Sequence, residues 1–219
     1  MAQQRDLWLS TPEQEGQSRQ QRRRDRKVND IMAFTALTVA EHGYHMTSLD
    51  DIAEHLDLSK ASIYHYFNGK EALVLATLES CSDYSFQELT AVLNKGGTPT
   101  ERLQGLIRRH IQMTSIENVE MSRLFLQPLD WPPTIAESVL QRNREHVAMF
   151  RDVIQEGIDS GEFEAGDARV ANMSIQGAMM LAPVWYGKQL RGRGGAAVLD
   201  RLVRSLMLLV VPAKAAASA

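Results

Sequence analysis

Residues 47–71 read Thr-Ser-Leu-Asp-Asp-Ile-Ala-Glu-His-Leu-Asp-Leu-Ser-Lys-Ala-Ser-Ile-Tyr-His-Tyr-Phe-Asn-Gly-Lys-Glu, and they decide the fold. Three helix starts are packed into them. Thr47 is placed to cap one helix, Ser59 a second and very short one, and Asn68 a third, with Glu71 positioned to close a capping box. Leu49, Ile52, Ala53 and Leu56 recur at helical spacing, and Ile63 and Phe67 continue the apolar set beyond the turn Asp57-Leu58-Ser59. Two short helices, a tight turn and small Ala53 at the crossing point are expected to form a helix-turn-helix. The outer side of the second helix carries Lys60, Ala61, Ser62, Tyr64, His65 and Tyr66, mostly long or hydroxylic donors with no acid among them. Such a surface suits phosphates and base edges. A three-helix bundle without nucleic-acid chemistry shows similar caps, and there an aromatic cluster at this spacing is core.

Upstream, Arg19, Arg22, Arg23, Arg24, Arg26 and Lys27 form a basic run opposed only by Asp25. A charge run is commonly a solvated face. Directly before a helix-turn-helix it also has the place of an arm that reaches a minor groove or a flanking phosphate, through Arg23 and Arg24 among others. Residues 1–20 are polar, lack periodicity and are expected to be a disordered tail, in which Trp8 has no assigned role. Val28, Ile31, Phe34 and Val39 predict the first helix over 26–42, ended by Gly43 in a left-handed conformation.

Downstream the pattern is helical throughout. Asn68-Gly69-Lys70-Glu71 opens a helix running to about Leu93 before the break at Gly96-Gly97-Thr98-Pro99, and its length suits a connector between two domains. Further helices are expected over 100–115, 117–128 and 134–160, the last starting after Trp131-Pro132-Pro133. Asp167 is placed to cap a helix over 167–190, kinked at Pro183. A final helix spans 196–211, ended by Pro212 and followed by an Ala-rich tail over 214–219. The expected fold is all-α with about nine helices. It has a three-helix N-terminal helix-turn-helix domain over 21–70 and a helical domain over 71–213. The helices at 167–190 and 196–211 are apolar on more than one side, so a core or a partner must cover them.

Composition narrows the function. Apolar residues make up 44% of the 219 and charged residues 23%, and net charge is −3, so nucleic-acid affinity must come from a local patch. The lone cysteine, Cys81, excludes an internal disulfide and any Cys-based zinc site, and fits a reducing cytoplasm. No apolar run reaches the ~20 residues of a membrane span. His42, His45, Asp50, Asp51, Glu54 and His55 lie close in sequence, but Ile52 and Ala53 are needed inside, which turns the acids outward. The chain has no HExxH, nucleophile elbow or phosphate loop. No catalytic residue, metal or cofactor is assigned.

Residues 28–75 resemble the DNA-binding domain of TetR-family transcriptional regulators. The resemblance rests on Ile31, Gly43-Tyr44, Thr47-Ser48-Leu49, Asp51-Ile52-Ala53, Leu58-Ser59 and Ser62-Ile63-Tyr64-His65-Tyr66-Phe67, with Asn68, Lys70-Glu71 and Leu73 completing it. Many members carry Phe where this chain has Val39, a volume that Phe34 is expected to fill. The resemblance implies a homodimeric regulator, here expected to repress, with helix four linking DNA-binding and ligand-binding parts and with 167–190 and 196–211 forming the dimer interface. It implies a palindromic double-stranded operator. Thr47 and Ser48 are then expected at phosphate through a helix N-terminus, with Tyr64, Tyr66 and Lys70. Lys60, Ser62 and His65 are expected nearest the base edges.

For the effector the sequence offers Met113, Met149 and Met179 as adaptable apolar walls, and Phe125, Trp131, Trp185 and Tyr186 as aromatic ones. Arg123, Arg142, Arg144 and Arg191 are the candidates to hold an anionic end. The order Trp131, Glu156-Gly157, Ser160-Gly161-Glu162-Phe163, Trp185-Tyr186 is similar to regulators of fatty-acid or steroid breakdown that sense acyl-CoA thioesters. The competing ligand is a flat lipophilic drug or aromatic metabolite. The competing function is a helical ligand carrier that keeps the fold without DNA binding.

Overall fold

The computed structural model describes residues 18–125 and 130–211. Trp8 and the tail through residue 17, the Pro128 end expected for the short sixth helix, Pro212 and the tail from 214 lie outside the described residues. Among the described residues there are nine α-helices and one π-helical turn, and no strand. Among the described residues no helix is long and apolar enough to cross a membrane. Two compact units emerge: residues through Tyr84 with Glu120–Gln141, and Ser85–Val119 with the chain from Arg142 onward.

In the first unit, α1 spans Arg19–Met46, longer at both ends than expected. Ser18 caps it by accepting from Gln21 N, so the basic run is not an extended arm but the first two turns of this helix. Gly43, at φ +81°, breaks the helix without ending it, and a last turn runs to Met46. α2 (Leu49–His55) and α3 (Lys60–Tyr64) follow. Between them Asp57 takes φ +52° and Leu58 N donates to Ala53 O at 2.8 Å, which sets the tight turn. Two expected caps shift by one residue. Ser48, not Thr47, caps α2 by accepting from Asp51 N, because the Thr47 hydroxyl is buried and donates to Gly43 O at 2.9 Å. At α4 (Lys70–Leu93) the first helical carbonyl is that of Gly69, which accepts from Leu73 N. Gly69 at φ +97° supplies a backbone conformation that Asn68 is not asked to adopt.

α3 is five residues long, far below the length at which a helix persists by itself. It is held by Ile63, fully buried with Ile31 and Met32 of α1, Leu49, Ile52 and Ala53 of α2, and Leu73 of α4. Each such side chain contributes about 1.5–3 kcal/mol of burial, enough to offset what the short helix lacks. A second cluster joins Ala36, Val39 and Ala40 to Val74, Leu78 and Cys81, and to Leu124 of α6 (Val119–Phe125) and Ile135 of α7 (Pro133–Asp159). Phe34 does not fill the space beside Val39. It packs on the first cluster and stacks on His55, ring centroids 3.7 Å apart. Tyr44 and Trp131 pack beside the Val39 cluster instead.

In the second unit, α5 (Pro99–Gln112) starts with a full capping box between Thr98 and Glu101 and Pro99 in its first turn. It runs into the π-helical turn Met113–Glu117. Arg109 bridges Glu88 and Glu117 at 2.7 Å each. The end of α7 is closed by Phe163, whose ring lies 2.1 Å from where a Cβ on residue 157 would stand, so only glycine fits there. Glu162 then accepts from Thr100 N and Oγ1 at the start of α5. Asp167 caps α8 (Ala168–Leu190) as expected, and the helix continues through Pro183. α9 spans Gly195–Met207, shorter than 196–211, with a turn over the last residues.

Candidate nucleic-acid interface

The helix-turn-helix presents one exposed polar face. Ser59 caps α3 by accepting from Ser62 N, and the two hydroxyls lie 2.8 Å apart. Lys60, Ala61, Tyr64 and His65 are exposed, Tyr64 by 51% although it is a large aromatic. Burying Ile63 on the opposite side of α3 forces this outward display. Lys27 of α1 joins Ser59, Ala61, Ser62, His65 and Tyr66 around a shallow open hollow. Arg24 lies 5.9 Å from the Tyr66 ring centre. The helical start of α1 therefore brings cations alongside the recognition helix. Lys27 was part of the basic run in the sequence, but only the helix shows which of its members reaches α3.

Two lysines behave differently. Lys60 Nζ is 2.7 Å from Asp50 Oδ2 of α2, and that hydrogen bond and charge raise its pKa. An exposed pair of this kind contributes little stability, but it engages a cation of the exposed α3 face. Because the ammonium must leave Asp50 to meet a phosphate, Asp50→Asn is expected to tighten binding to any duplex, with the salt slope and the melting temperature nearly unchanged. Titrations of the variant at several salt concentrations check this. Lys70, half-buried, donates to Tyr44 O and Thr47 O at 3.0 Å each and lies 4.3 Å from the Tyr44 ring centre. Two of its three N–H donors thus hold the end of α1. Thr47 is 1% exposed, and its N–H and hydroxyl serve Tyr44 O and Gly43 O. Ser48 keeps its place at the α2 N-terminus, where Asp51 N bonds its hydroxyl.

The seven residues expected around an effector are divided between the two units. Trp131 and Phe125 belong to the first unit, where Trp131 meets Tyr44 edge-on at 6.0 Å and Phe125 is exposed. Met113 and Met179 are fully buried and Met149 half-buried in the second unit. Trp185 and Tyr186 are exposed on α8, Trp185 by 59%. Arg191 is not a free anion partner, because its Nη1 donates to Ser115 O at 2.7 Å, and Arg142 lies over the Phe86 ring at 5.9 Å.

Sequence reading missed a pair of histidines in the second unit. His110 of α5 and His146 of α7 have ring centroids 5.1 Å apart, with Phe150 against both. Burial pushes the His110 imidazole down to about 3, helped by His146, and His146 down to about 4. The folded chain therefore holds both neutral where the unfolded chain, near 6.5, takes up protons. Stability is full above pH ~6.5 and is lost as pH falls toward the folded values, at up to about 1.4 kcal/mol per pH unit for each histidine. Denaturant midpoints between pH 7 and 5 are expected to fall, and the fall is expected to shrink in His146→Phe.

Among the described residues no group of three or more His, Cys, Asp and Glu is arranged to hold a metal ion. Family models agree with the geometry. Residues 32–77 match the model described as bacterial regulatory proteins, tetR family, and residues 96–210 match the tetracyclin repressor-like C-terminal domain. The HTH-type transcriptional repressor KstR2 of Mycobacterium tuberculosis is 28% identical over 165 residues, covering 72% of this chain and 80% of that protein. Its structure, titled a ketosteroid transcriptional regulator, superposes with a TM-score of 0.66 at 23% identity over 80% of this chain and 93% of that one. A TetR/AcrR-family regulator from Thermobifida fusca gives a TM-score of 0.64 at 28% identity, covering 83% of this chain and 97% of that one. AibR, solved with isovaleryl coenzyme A and operator DNA, shares the fold at a TM-score of 0.69 and 19% identity, covering 81% and 96%. With a helix-turn-helix at 49–64, a cation-rimmed recognition face and both family models matched in order, the chain belongs to the TetR family and is a DNA-binding transcriptional regulator, not an enzyme.

Proposed function

We propose that this chain is a cytoplasmic repressor that binds a palindromic double-stranded operator as a homodimer and is released by a small apolar effector. Residues 21–70 bind DNA in this reading, and residues 71–213 bind the effector and dimerise. The observation that carries it is the exposed face of α3, with Lys60, Ala61, Ser62, Tyr64 and His65 outward beside Lys27 while Ile63 is buried. Lys60, Ser62 and His65 read base edges. Ser48, Tyr64, Tyr66, Arg23, Arg24 and the remaining donor of Lys70 meet phosphate. Thr47 acts from behind, by holding the α1–α2 junction. Half-sites about one helical turn apart, ~34–36 Å, follow from two-fold symmetry.

Dimerisation is supported by α8. It buries Ala171, Ile175, Met179 and Ala182 on one side and leaves Val170, Met173, Met180, Val184 and Trp185 exposed on the other. An apolar stripe of this length on a helix calls for a cover, and we assign Trp185 and Tyr186 to it. Met113, Met149 and Met179 remain as walls of an effector site within the second unit. The effector class of acyl-CoA thioesters, or other fatty-acid and steroid metabolites, is supported by the likeness to KstR2 and AibR.

The effector acts by preferring a conformer whose recognition helices are wrongly spaced, with α4, shared by both units, as the moving element. A hundredfold release needs a preference of about 2.7 kcal/mol. Titrating isovaleryl coenzyme A and longer acyl-CoA thioesters into the protein–operator complex tests it. Release of DNA by a thioester that binds the free protein is expected. Saturating binding with unchanged operator affinity contradicts the mechanism.

A further inference from the structure

We infer that the second unit recognises its effector through a hydroxyl group on an apolar body, hydrogen-bonded among His110, His146, Asn172 and Gln176. The inference rests on reading this unit as effector-binding and names the group that it reads. The four residues come from three helices tied together at one place. The His110 and His146 rings join α5 to α7, and the side chains of His146 and Gln176 meet between α7 and α8. Asn172, one turn before Gln176, donates from Nδ2 to Val147 O at 2.8 Å. Phe150 supplies an apolar wall beside both imidazoles. The π-helical turn begins three residues after His110, and such turns concentrate at functional positions.

After these contacts four polar atoms sealed from solvent still lack a partner: His110 Nδ1, His146 Nε2, Asn172 Oδ1 and Gln176 Nε2. Folded proteins leave only a few such atoms in about every hundred residues, and here four fall on neighbouring side chains. Asn172, at 1% exposure, cannot turn its amide round, because the Val147 carbonyl only accepts, so its free atom is an acceptor. Gln176 Nε2 is a donor, and each imidazole nitrogen serves either way. The set therefore asks for a group that both donates and accepts.

A hydroxyl does so, giving its proton to Asn172 Oδ1 and accepting from Gln176 or an imidazole N–H. A carboxylate only accepts, leaves Asn172 Oδ1 unpaired, and finds no cation, since both imidazoles are held neutral by burial. A hydrocarbon leaves all four atoms orphaned.

The test uses the full chain without DNA, labelled at histidine nitrogen, with cyclohexanol, methylcyclohexane and cyclohexanecarboxylate as probes. Cyclohexanol is expected to shift the two buried imidazoles and to bind at least tenfold more tightly than either of the others. In Gln176→Leu its advantage over methylcyclohexane is expected to shrink to within about twofold. Equal or tighter binding of methylcyclohexane overturns the inference, as does tighter binding of the carboxylate. So does the absence of any shift with any probe, which marks the atoms as satisfied by water alone. Operator binding is measured in parallel. A lost hydroxyl preference with operator binding intact removes this inference only. A hydroxyl preference without operator binding removes the regulator reading instead.

Discussion

Lys70→Ala is expected to lower the stability of the first unit by about 2 kcal/mol, before any effect on DNA is considered. The ammonium donates two bonds to the carbonyls of Tyr44 and Thr47 and lies over the Tyr44 ring. Charge-assisted bonds contribute about 1.5–3 kcal/mol each and the ring contact about 0.5–1 kcal/mol. The side chain is half-buried, so water recovers part of that loss. The freed carbonyls belong to the junction from which α2 departs, so its direction loosens as well. A melting temperature lower by roughly 4–8 °C follows for a chain of this size. Lys70→Met, which keeps the stem and loses the charge, is expected to fall almost as far. Lys60→Ala is the contrast. Its Nζ pairs only with exposed Asp50, so melting is unchanged while the operator salt slope weakens by about 0.9 per half-site. A Lys70→Ala protein that melts like the parent, with only a weaker salt slope, contradicts the junction role and leaves phosphate as the whole task of this lysine.

Met180→Glu is expected to turn the proposed homodimer into a monomer and to weaken operator binding at least a hundredfold. Met180 is exposed on α8 between Met173 and Val184, on the side away from buried Ile175 and Met179. In the single chain a carboxylate there stays in water and costs almost nothing. In a dimer it must be buried without a partner, which costs several kcal/mol. A monomer also loses the second half-site and the effective concentration that links the two. Sedimentation, helical content and operator affinity check the three parts. Retained dimerisation with retained affinity shows that the α8 stripe is not the interface.

The helix-turn-helix was legible in sequence because independent local signals coincide. Ser59, the Asp57–Ser59 turn, the spacing of Ile52, Ala53 and Ile63, and the polar residues from Lys60 onward all agree. Where local signals tie, tertiary packing decides. Thr47 and Ser48 are both good caps, and only the burial of Thr47 against Gly43 assigns the task to Ser48. Lys70 at a helix start reads as a phosphate ligand, but its partners lie 26 and 23 residues earlier. Trp131 reads as a pocket aromatic, yet it covers the cluster around Val39, a contact that spans most of the first unit. The order Glu156-Gly157 to Phe163, similar to acyl-CoA sensors, includes a folding device: Gly157 makes room for the Phe163 ring and Glu162 anchors the start of α5. His110 and His146 carry no mutual signal in one dimension, because their neighbourhood exists only once α5, α7 and α8 have packed.

The chain as a whole is slightly acidic, with a net charge of −3, so DNA affinity has to come from the exposed α3 face and the cations beside it. The affinity of the intact protein for the DNA upstream of its own gene, measured from about 50 to 200 mM salt, tests this. In the proposed dimer Lys27, Lys60 and one further cation per half-site, doubled by symmetry, would neutralise about six phosphates. The logarithm of the binding constant should then fall linearly against the logarithm of salt with a slope of about −5. A slope near zero, or no binding at 50 mM salt, contradicts the account and favours a helical ligand carrier that has kept the fold without the DNA.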